Sequence, residues 1–153
     1  MTDGMTAENR VVSAEREVTA EPATIFELIA DPAQQPRWDG NGNLIEAAPG
    51  QRVRAVGDVF VMRIHNGEDR DNRVVEFEEG RRIAWKPAPP GGETPGHLWR
   101  WEVEPLPGGG SLVRHTYDWS GLTDESRFAR ARKNTPEALR ASIDRLAELA
   151  ERG

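Results

Sequence analysis

The chain has 153 residues and a formal net charge of -6, from 26 acidic and 20 basic side chains. Because nucleic acids and anionic membranes attract positive surfaces, this balance argues against nonspecific binding to either, although it leaves room for a local basic patch. The sequence has no cysteine, which excludes disulfides, thiolate metal sites and a cysteine nucleophile. No stretch reaches the roughly 20 apolar residues of a membrane span, and the first residues lack the pattern of a secretory signal. We therefore expect a cytoplasmic protein without membrane insertion.

The N-terminal part predicts a strand followed by two short helical segments. Residues 1–10 are small and polar, which is typical of a flexible arm. Residues 11–19 alternate as a strand with one buried face does. A proline at the first helical position and apolar residues at helical spacing predict a helix over 22–30. Pro36 then allows only a second short turn, which carries Trp38.

The middle of the chain follows a two-residue period, which predicts six strands. They are expected at 43–48, 56–65, 72–79, 81–87, 97–105 and 111–120. In the strand at 72–79 the alternation places Val75 and Phe77 on the same side. The connections between these strands are mostly short and contain glycine, as hairpin loops do. Successive hairpins predict an antiparallel meander.

The last thirty residues return to a helical period. Thr135 followed by Pro136 is a predicted cap and first turn of a long helix. One apolar stripe runs along that helix, through Leu139, Ile143, Leu146 and Ala150. Such a helix needs a surface to lie on, and the order of elements makes the sheet that surface. We therefore predict an α+β fold.

Several packing patterns match one superfamily. They are REVTAEPATIFELIADP, PRW, VGDVFVMRI, VVEFEEGRRIAWK, WRWEVEPLPGGGSLVRHTYDW and the amphipathic helix after SGLTDESRF. With these patterns, which cover about residues 11–150, the chain resembles the START/Bet v1-like (SRPBCC) superfamily and its polyketide cyclase/dehydrase-like branch. The resemblance implies a helix-grip fold, in which a curved antiparallel sheet of six or seven strands surrounds the long C-terminal helix and encloses a hydrophobic cavity. Residues 11–153 would then form a single domain after the arm.

The resemblance also implies a function. Members of such families bind lipids, sterols, polyketides or other aromatic compounds, and some cyclise or dehydrate them. We accordingly expect a small hydrophobic ligand in the cavity, no cofactor, and cyclase or dehydratase chemistry if any reaction is catalysed. The alternative is a protein-interaction module similar to the helix-grip co-chaperone and respiratory-assembly proteins, with a collapsed cavity. A monomer and a homodimer both remain open.

The candidate ligand contacts are large apolar residues on the predicted inner faces. The set is Trp38, Phe60, Met62, Trp85, Trp99, Trp101, Trp119 and Ile143. Each indole can bury about 150–250 Å², which suits either a packed aromatic core or the wall of a roomy cavity. Trp38 is expected to lie across the mouth of the cavity, or alternatively to act as a plug that completes the core.

Two residues on the last predicted strand are candidates for catalysis. His115 shares a face with Tyr117, so the pair could act as a general base or acid and as an anchor for a ligand carbonyl. Alternatively, neighbours or water satisfy both side chains. The histidines at 65, 97 and 115 fall on different strands without ligand-type spacing, so we expect no metal site. Arg16 shares a face with Val12, Ala14 and Val18, so a buried Arg16 would need a carboxylate partner, for example one on the ligand. Alternatively, Arg16 lies at the rim.

Overall fold

The computed structural model describes residues 8–152, which contain seven strands and four α-helices. The strands are β1 (Val11–Val18), β2 (Leu44–Glu46), β3 (Val59–Ile64), β4 (Asp69–Glu78), β5 (Arg82–Ala88), β6 (Leu98–Pro105) and β7 (Ser111–Asp118). The helices are α1 (Pro22–Ala30), α2 (Gln35–Trp38), α3 (Phe128–Ala131) and α4 (Pro136–Arg152), and short 3₁₀ turns precede α2 and α3. Most of the predicted arm at 1–10 lies outside the described residues.

All seven strands form one antiparallel sheet in the order β1-β7-β6-β5-β4-β3-β2. From β2 to β7 each strand pairs with the next one along the chain, so the predicted meander is confirmed. Helix α4 packs against β1 and β7 and contacts α1 and α2. This is the helix-grip arrangement, with a curved sheet around a long C-terminal helix. Within residues 8–152, no helix combines the length and the apolar character that a membrane span requires.

Local sequence signals explain where α4 begins and which face it buries. The Thr135 hydroxyl accepts a hydrogen bond of 3.1 Å from the backbone N–H of Ala138, as a capping side chain does. Glu137 in the first turn favours the positive end of the helix dipole. The whole predicted stripe is buried: Leu139, Ile143, Leu146 and Ala150. The helix therefore presents one apolar face to the sheet.

A β-bulge in β4 corrects the predicted side-chain pattern of that strand. Val74 pairs with Trp85 and Glu76 pairs with Ala84, so Val75 is an extra residue without a partner of its own. One extra residue reverses the alternation, because neighbouring side chains of a strand point to opposite faces. Val74 rather than Val75 is therefore buried, while Phe77 still packs inward, 5.8 Å from the Phe26 ring.

The main core lies between the sheet and the C-terminal half of α4. Fully buried aliphatic side chains from three strands and the helix meet there: Ile83, Val103, Val113, Ile143, Leu146 and Ala147. Burial of each valine, isoleucine or leucine side chain contributes roughly 1.5–3 kcal/mol to the stability of the fold. A second, smaller cluster surrounds Trp119 and Leu139 near the other end of the helix.

Close backbone approaches require glycine at two places beside α4 and the sheet. A β-carbon on Gly121 would lie 2.6 Å from the carbonyl oxygen of Gly96, which adopts a φ of +123°. A β-carbon on Gly40 would lie 2.9 Å from the backbone nitrogen of Ser142 on α4. The Gly40 N–H instead donates a hydrogen bond of 3.0 Å to the Ser142 hydroxyl. These contacts fix two loops that border the cavity described next.

Candidate ligand-binding cavity

A cavity of about 880 Å³ lies between the sheet, α2 and the N-terminal half of α4. Five consecutive strands line it with Met62, Ile64, Asn72, Trp85, Pro87, Trp99, Trp101, His115 and Tyr117. The other side contributes Gln35, Trp38 and Asp39 around α2 and Ser142 on α4. A volume of this size falls in the range of small-molecule sites, roughly 300–1,000 Å³.

The pairing of strands brings the aromatic residues of this wall together. Trp99 on β6 lies opposite Trp85 on β5 and opposite Tyr117 on β7, while Trp101 lies opposite His115. Residues opposite each other in a sheet share a face, so these rings stand side by side. The Trp99 and Tyr117 ring centroids are 4.3 Å apart. The sequence therefore forms an aromatic surface across three strands.

His115 is held as a neutral imidazole between two indoles. Its ring centroid is 3.7 Å from Trp101 and 5.5 Å from Trp99, with interplanar angles of 13° and 19°. Its Nδ1 lies 3.1 Å from the carbonyl oxygen of Arg100, so Nδ1 carries the proton and Nε2 is the basic nitrogen. Burial lowers the pKa of His115 to about 3. Because a general base works best with a pKa near the working pH, this environment disfavours proton abstraction at neutral pH.

Tyr117 is a neutral hydrogen-bond donor at neutral pH, because burial raises the pKa of its phenol to about 12. The phenol is buried in the second cluster, and its ring lies 6.1 Å from the ring of His97. The two candidate catalytic residues thus line the same cavity, but neither has a pKa near 7.

His97 also lines the cavity, and it was not among the predicted site residues. Its Nδ1 is buried and has no hydrogen-bond partner among residues 8–152. Burial, together with the charges of Arg127, Arg130 and Arg70, lowers the pKa of His97 to about 4. The sequence alone could have predicted this position. His97 directly precedes β6 and lies two residues before Trp99, and residues two apart along a strand point to the same face.

Basic side chains line the cavity where it reaches solvent. They are Arg70 on β4 and Arg127, Arg130 and Lys133 in the connection between β7 and α4, which we call the β7–α4 connection (119–135). The run RFARARK could have identified this patch, since it holds four basic residues in a chain of net charge -6. These four residues were not among the predicted site residues.

The loop at 39–44 forms another part of the wall and is organised by one carboxylate. Asp39 accepts hydrogen bonds from the backbone N–H groups of Asn41, Asn43 and Leu44, at 3.1, 2.7 and 2.8 Å. Hydrogen bonds between the Asp39 carboxylate and the backbone therefore order this loop. Within residues 8–152 no group of three histidine or carboxylate side chains has an arrangement that could hold a metal ion.

A protein-family model described as polyketide cyclase / dehydrase and lipid transport matches residues 9–151. The chain belongs to this polyketide cyclase/dehydrase family. No curated protein matches the sequence.

Solved structures share the fold of this family member at low sequence identity. A protein from Mesorhizobium loti is 20% identical over 94% of this chain and 98% of its own, with a TM-score of 0.67. Truncated norcoclaurine synthase from Thalictrum flavum is 16% identical over 91% of both chains, with a TM-score of 0.62. The Aha1 dimer from Colwellia psychrerythraea is 17% identical over 92% of this chain and 96% of its own, with a TM-score of 0.60. At these identities the likeness shows the fold alone.

Trp38 lies in the cavity wall of this polyketide cyclase/dehydrase family member rather than across the mouth. Only 3% of its surface is exposed, and its Nε1 donates a hydrogen bond of 2.8 Å to the carbonyl oxygen of Leu28. Its ring stands edge-on to Trp101 with centroids 5.0 Å apart. The expected position across the opening is therefore corrected, and the geometry favours the alternative of a core plug that also borders the cavity.

Three of the predicted ligand contacts lie outside the lining. Phe60 packs edge-on to Trp85, with ring centroids 5.3 Å apart, within the main core. Ile143 follows the lining residue Ser142 and is rotated by about 100° toward that core. Trp119 lies just beyond β7 in the second cluster, where the Arg10 guanidinium is 4.7 Å from its ring. Met62, Trp85, Trp99 and Trp101 do line the cavity, and their contact with a ligand stays a prediction.

The partner of Arg16 is a residue of the protein itself. Its guanidinium forms an ion pair of 2.9 Å with Asp144 on α4. Arg16 therefore joins β1 to the helix and has no need of a ligand carboxylate.

Proposed function

We propose that the cavity binds a small hydrophobic molecule with an aromatic or polyketide-like body. The observation that carries this proposal is an open space of about 880 Å³ against an aromatic wall in a chain of this family. Planar rings offer a flat guest a large contact area and favourable edge or offset stacking, worth about 0.5–1.5 kcal/mol for each pair.

The expected affinity is modest. A ligand that buries about 400 Å² of apolar surface gains about 10 kcal/mol before association costs of at least about 4 kcal/mol. The difference of at most about 6 kcal/mol corresponds to a dissociation constant of roughly tens of micromolar or weaker. Polar groups of the wall would orient such a ligand. Tyr117, which lines the cavity as a neutral phenol, would donate a hydrogen bond to a carbonyl oxygen of the ligand.

Binding is proposed ahead of catalysis. A cyclase or dehydratase step at His115 would require proton transfer, and an imidazole with a pKa of about 3 is a weak base. The neutral Nε2 of His115 is better suited to accept a hydrogen bond from a ligand. The alternative of an interaction module with a collapsed cavity fits less well, because the space between the sheet and α2 is not filled.

The test uses N-phenyl-1-naphthylamine, a neutral aromatic probe whose fluorescence rises in apolar sites. We expect one probe to bind per chain with micromolar affinity. Trp99→Ala should weaken binding about tenfold, because Trp99 lines the cavity beside Tyr117. Trp119→Phe is the matched control, since Trp119 lies in the second cluster outside the lining. No binding by the unaltered protein across a varied panel of neutral aromatic probes would refute the proposal, as would equal losses in the two variants.

A further inference from the structure

The charge along the cavity is opposite in sign to that of the whole chain. Arg70, Arg127, Arg130 and Lys133 line it with permanent positive charges, whereas Asp39 is the one carboxylate of the lining within residues 8–152. The chain as a whole carries a net charge of -6. The lining therefore carries a net positive charge, although the chain as a whole is acidic.

Asp39 does not offset these cations at close range. Its two carboxylate oxygens accept the three backbone hydrogen bonds of the 39–44 loop, described above. Within residues 8–152 it forms no ion pair with a basic residue of the lining. The Asp39 carboxylate therefore stabilises the 39–44 loop and does not neutralise the basic residues of the lining.

The four cations are weakly engaged by the protein's own acids. Arg70 pairs with the exposed Glu68 at 3.0 Å, and Arg127 lies 3.6 Å from the exposed Asp124. Within the described residues, Arg130 and Lys133 form no ion pair. Exposed pairs are worth only about 0–1 kcal/mol, so an anion that meets several of these cations at once can displace such partners.

The positive field reaches the aromatic wall. The charges of Arg127, Arg130 and Arg70 all act on His97, whose ring is 6.1 Å from that of Tyr117. Tyr117 in turn contacts Trp99. A molecule that lies on these rings would therefore place its outer end among the basic side chains.

Building on the proposed function, we infer that the ligand is an amphipathic organic anion. Its flat apolar body lies against Trp99 and Tyr117, and its carboxylate or similar oxyanion is held by Arg127, Arg130 and Lys133. Guanidinium groups match such oxyanions because their N–H groups form a planar fork that can bond two oxygens at once. The same patch would raise the rate of encounter with an anionic ligand at low ionic strength.

The experiment compares two probes that share one aromatic body. 1-Anilinonaphthalene-8-sulfonate is N-phenyl-1-naphthylamine with an added sulfonate, so the difference in their affinities isolates the anionic group. We expect the sulfonate to bind about tenfold more tightly at roughly 20 mM salt, and to lose most of that advantage at roughly 300 mM salt. The Arg130→Gln/Lys133→Gln double variant should lose most of the preference for the sulfonate. Its affinity for the neutral probe should change much less, because that probe has no anionic group for these cations to hold.

The matched control is Arg140→Gln/Arg152→Gln, which also removes two positive charges. Both arginines are exposed on α4 and lie outside the lining, so this variant should keep the preference for the sulfonate. Equal affinity of the unaltered protein for the two probes would overturn the anion inference and leave the proposed function intact. The same holds if both double variants lose the preference alike. Failure of both probes and of the varied panel of neutral aromatic probes to bind would refute the proposed function itself.

Discussion

Strands β5 to β7 run from a packed core at one end to a cavity at the other. In the packed half, aliphatic residues of the sheet such as Val103 and Val113 meet Ile143 and Leu146 of α4, and all four are fully buried. In the open half, rings stack on neighbouring rings within the sheet, as His115 does on Trp101. Trp85 and Trp101 also belong to the main core, but the residue of α4 that lines the cavity is Ser142 rather than an aliphatic side chain. Packing partners, rather than side-chain size, decide which half is filled.

Trp38 lies at the boundary between the two halves, and its removal should have the largest effect. Trp38→Ala deletes a side chain that belongs both to the main core and to the cavity lining. We expect the free energy of unfolding to fall by about 3–5 kcal/mol, as for other buried tryptophans. Urea unfolding followed by circular dichroism measures this loss.

Ile143→Ala is the reference from the packed half. It should lower the free energy of unfolding by about 2–5 kcal/mol without changing the affinity for N-phenyl-1-naphthylamine, because Ile143 lies in the main core. The comparison between the halves fails if this variant weakens probe binding as much as Trp99→Ala does. A stability loss below about 1 kcal/mol for Trp38→Ala would instead restore the gating role.

The buried imidazole of His115 should make stability depend on pH. The pKa of a histidine in the unfolded chain is about 6.5, whereas that of folded His115 is about 3. Between these values the unfolded chain binds a proton that the folded chain does not, so the free energy of unfolding falls as the pH falls. The slope reaches at most about 1.4 kcal/mol for each pH unit from one such group.

His115→Phe keeps an aromatic ring and removes this titration. We expect a smaller decline in the free energy of unfolding between pH 6.5 and pH 5 than in the unaltered protein. Some decline remains, because burial also lowers the pKa of His97. Identical slopes for His115→Phe and the unaltered protein would contradict the neutral buried state of His115.

The smallest change in the free energy of unfolding is expected for Arg16, which lies on β1 at the exposed edge of the packed half. Arg16→Ala removes the ion pair between β1 and Asp144, whose side chains are 30% and 50% exposed. Exposed pairs contribute about 0.2–1 kcal/mol, so the free energy of unfolding should change by no more than that. Added salt should reduce the difference further. A loss above about 2 kcal/mol would show that this contact, rather than the aliphatic core, holds α4 on the sheet.

The buried faces of the strands and the cap of α4 could be predicted, because each corresponds to a periodic or local pattern in the sequence. Alternation in β3 and the hydroxyl of Thr135 are visible in the sequence alone. The bulge at Val75 leaves no such mark, since one inserted residue looks like any other strand residue. The predicted shared face of Val75 and Phe77 was wrong for that reason.

The site itself was only partly predictable. Periodicity assigns Phe60 and Met62 to the same face, but only the position of α2 and α4 decides which of them borders the cavity. The basic residues Arg127 and Arg130 lie in the β7–α4 connection, in a 3₁₀ turn and in the four-residue helix α3, and both elements are too short for a period to fix the direction of a side chain. In such a segment the direction of a side chain is set by tertiary contacts.

The close approach of Gly96 and Gly121 has a consequence for engineering the entrance. Neither position has room for a β-carbon, so the loop before β6 and the β7–α4 connection are joined where their backbones touch. A methyl group introduced at Gly121 would act as a wedge at the base of the connection that carries Arg127, Arg130 and Lys133. Mutant libraries that aim to widen the entrance of the cavity can therefore substitute Gly121 and leave the aromatic residues of the wall unchanged.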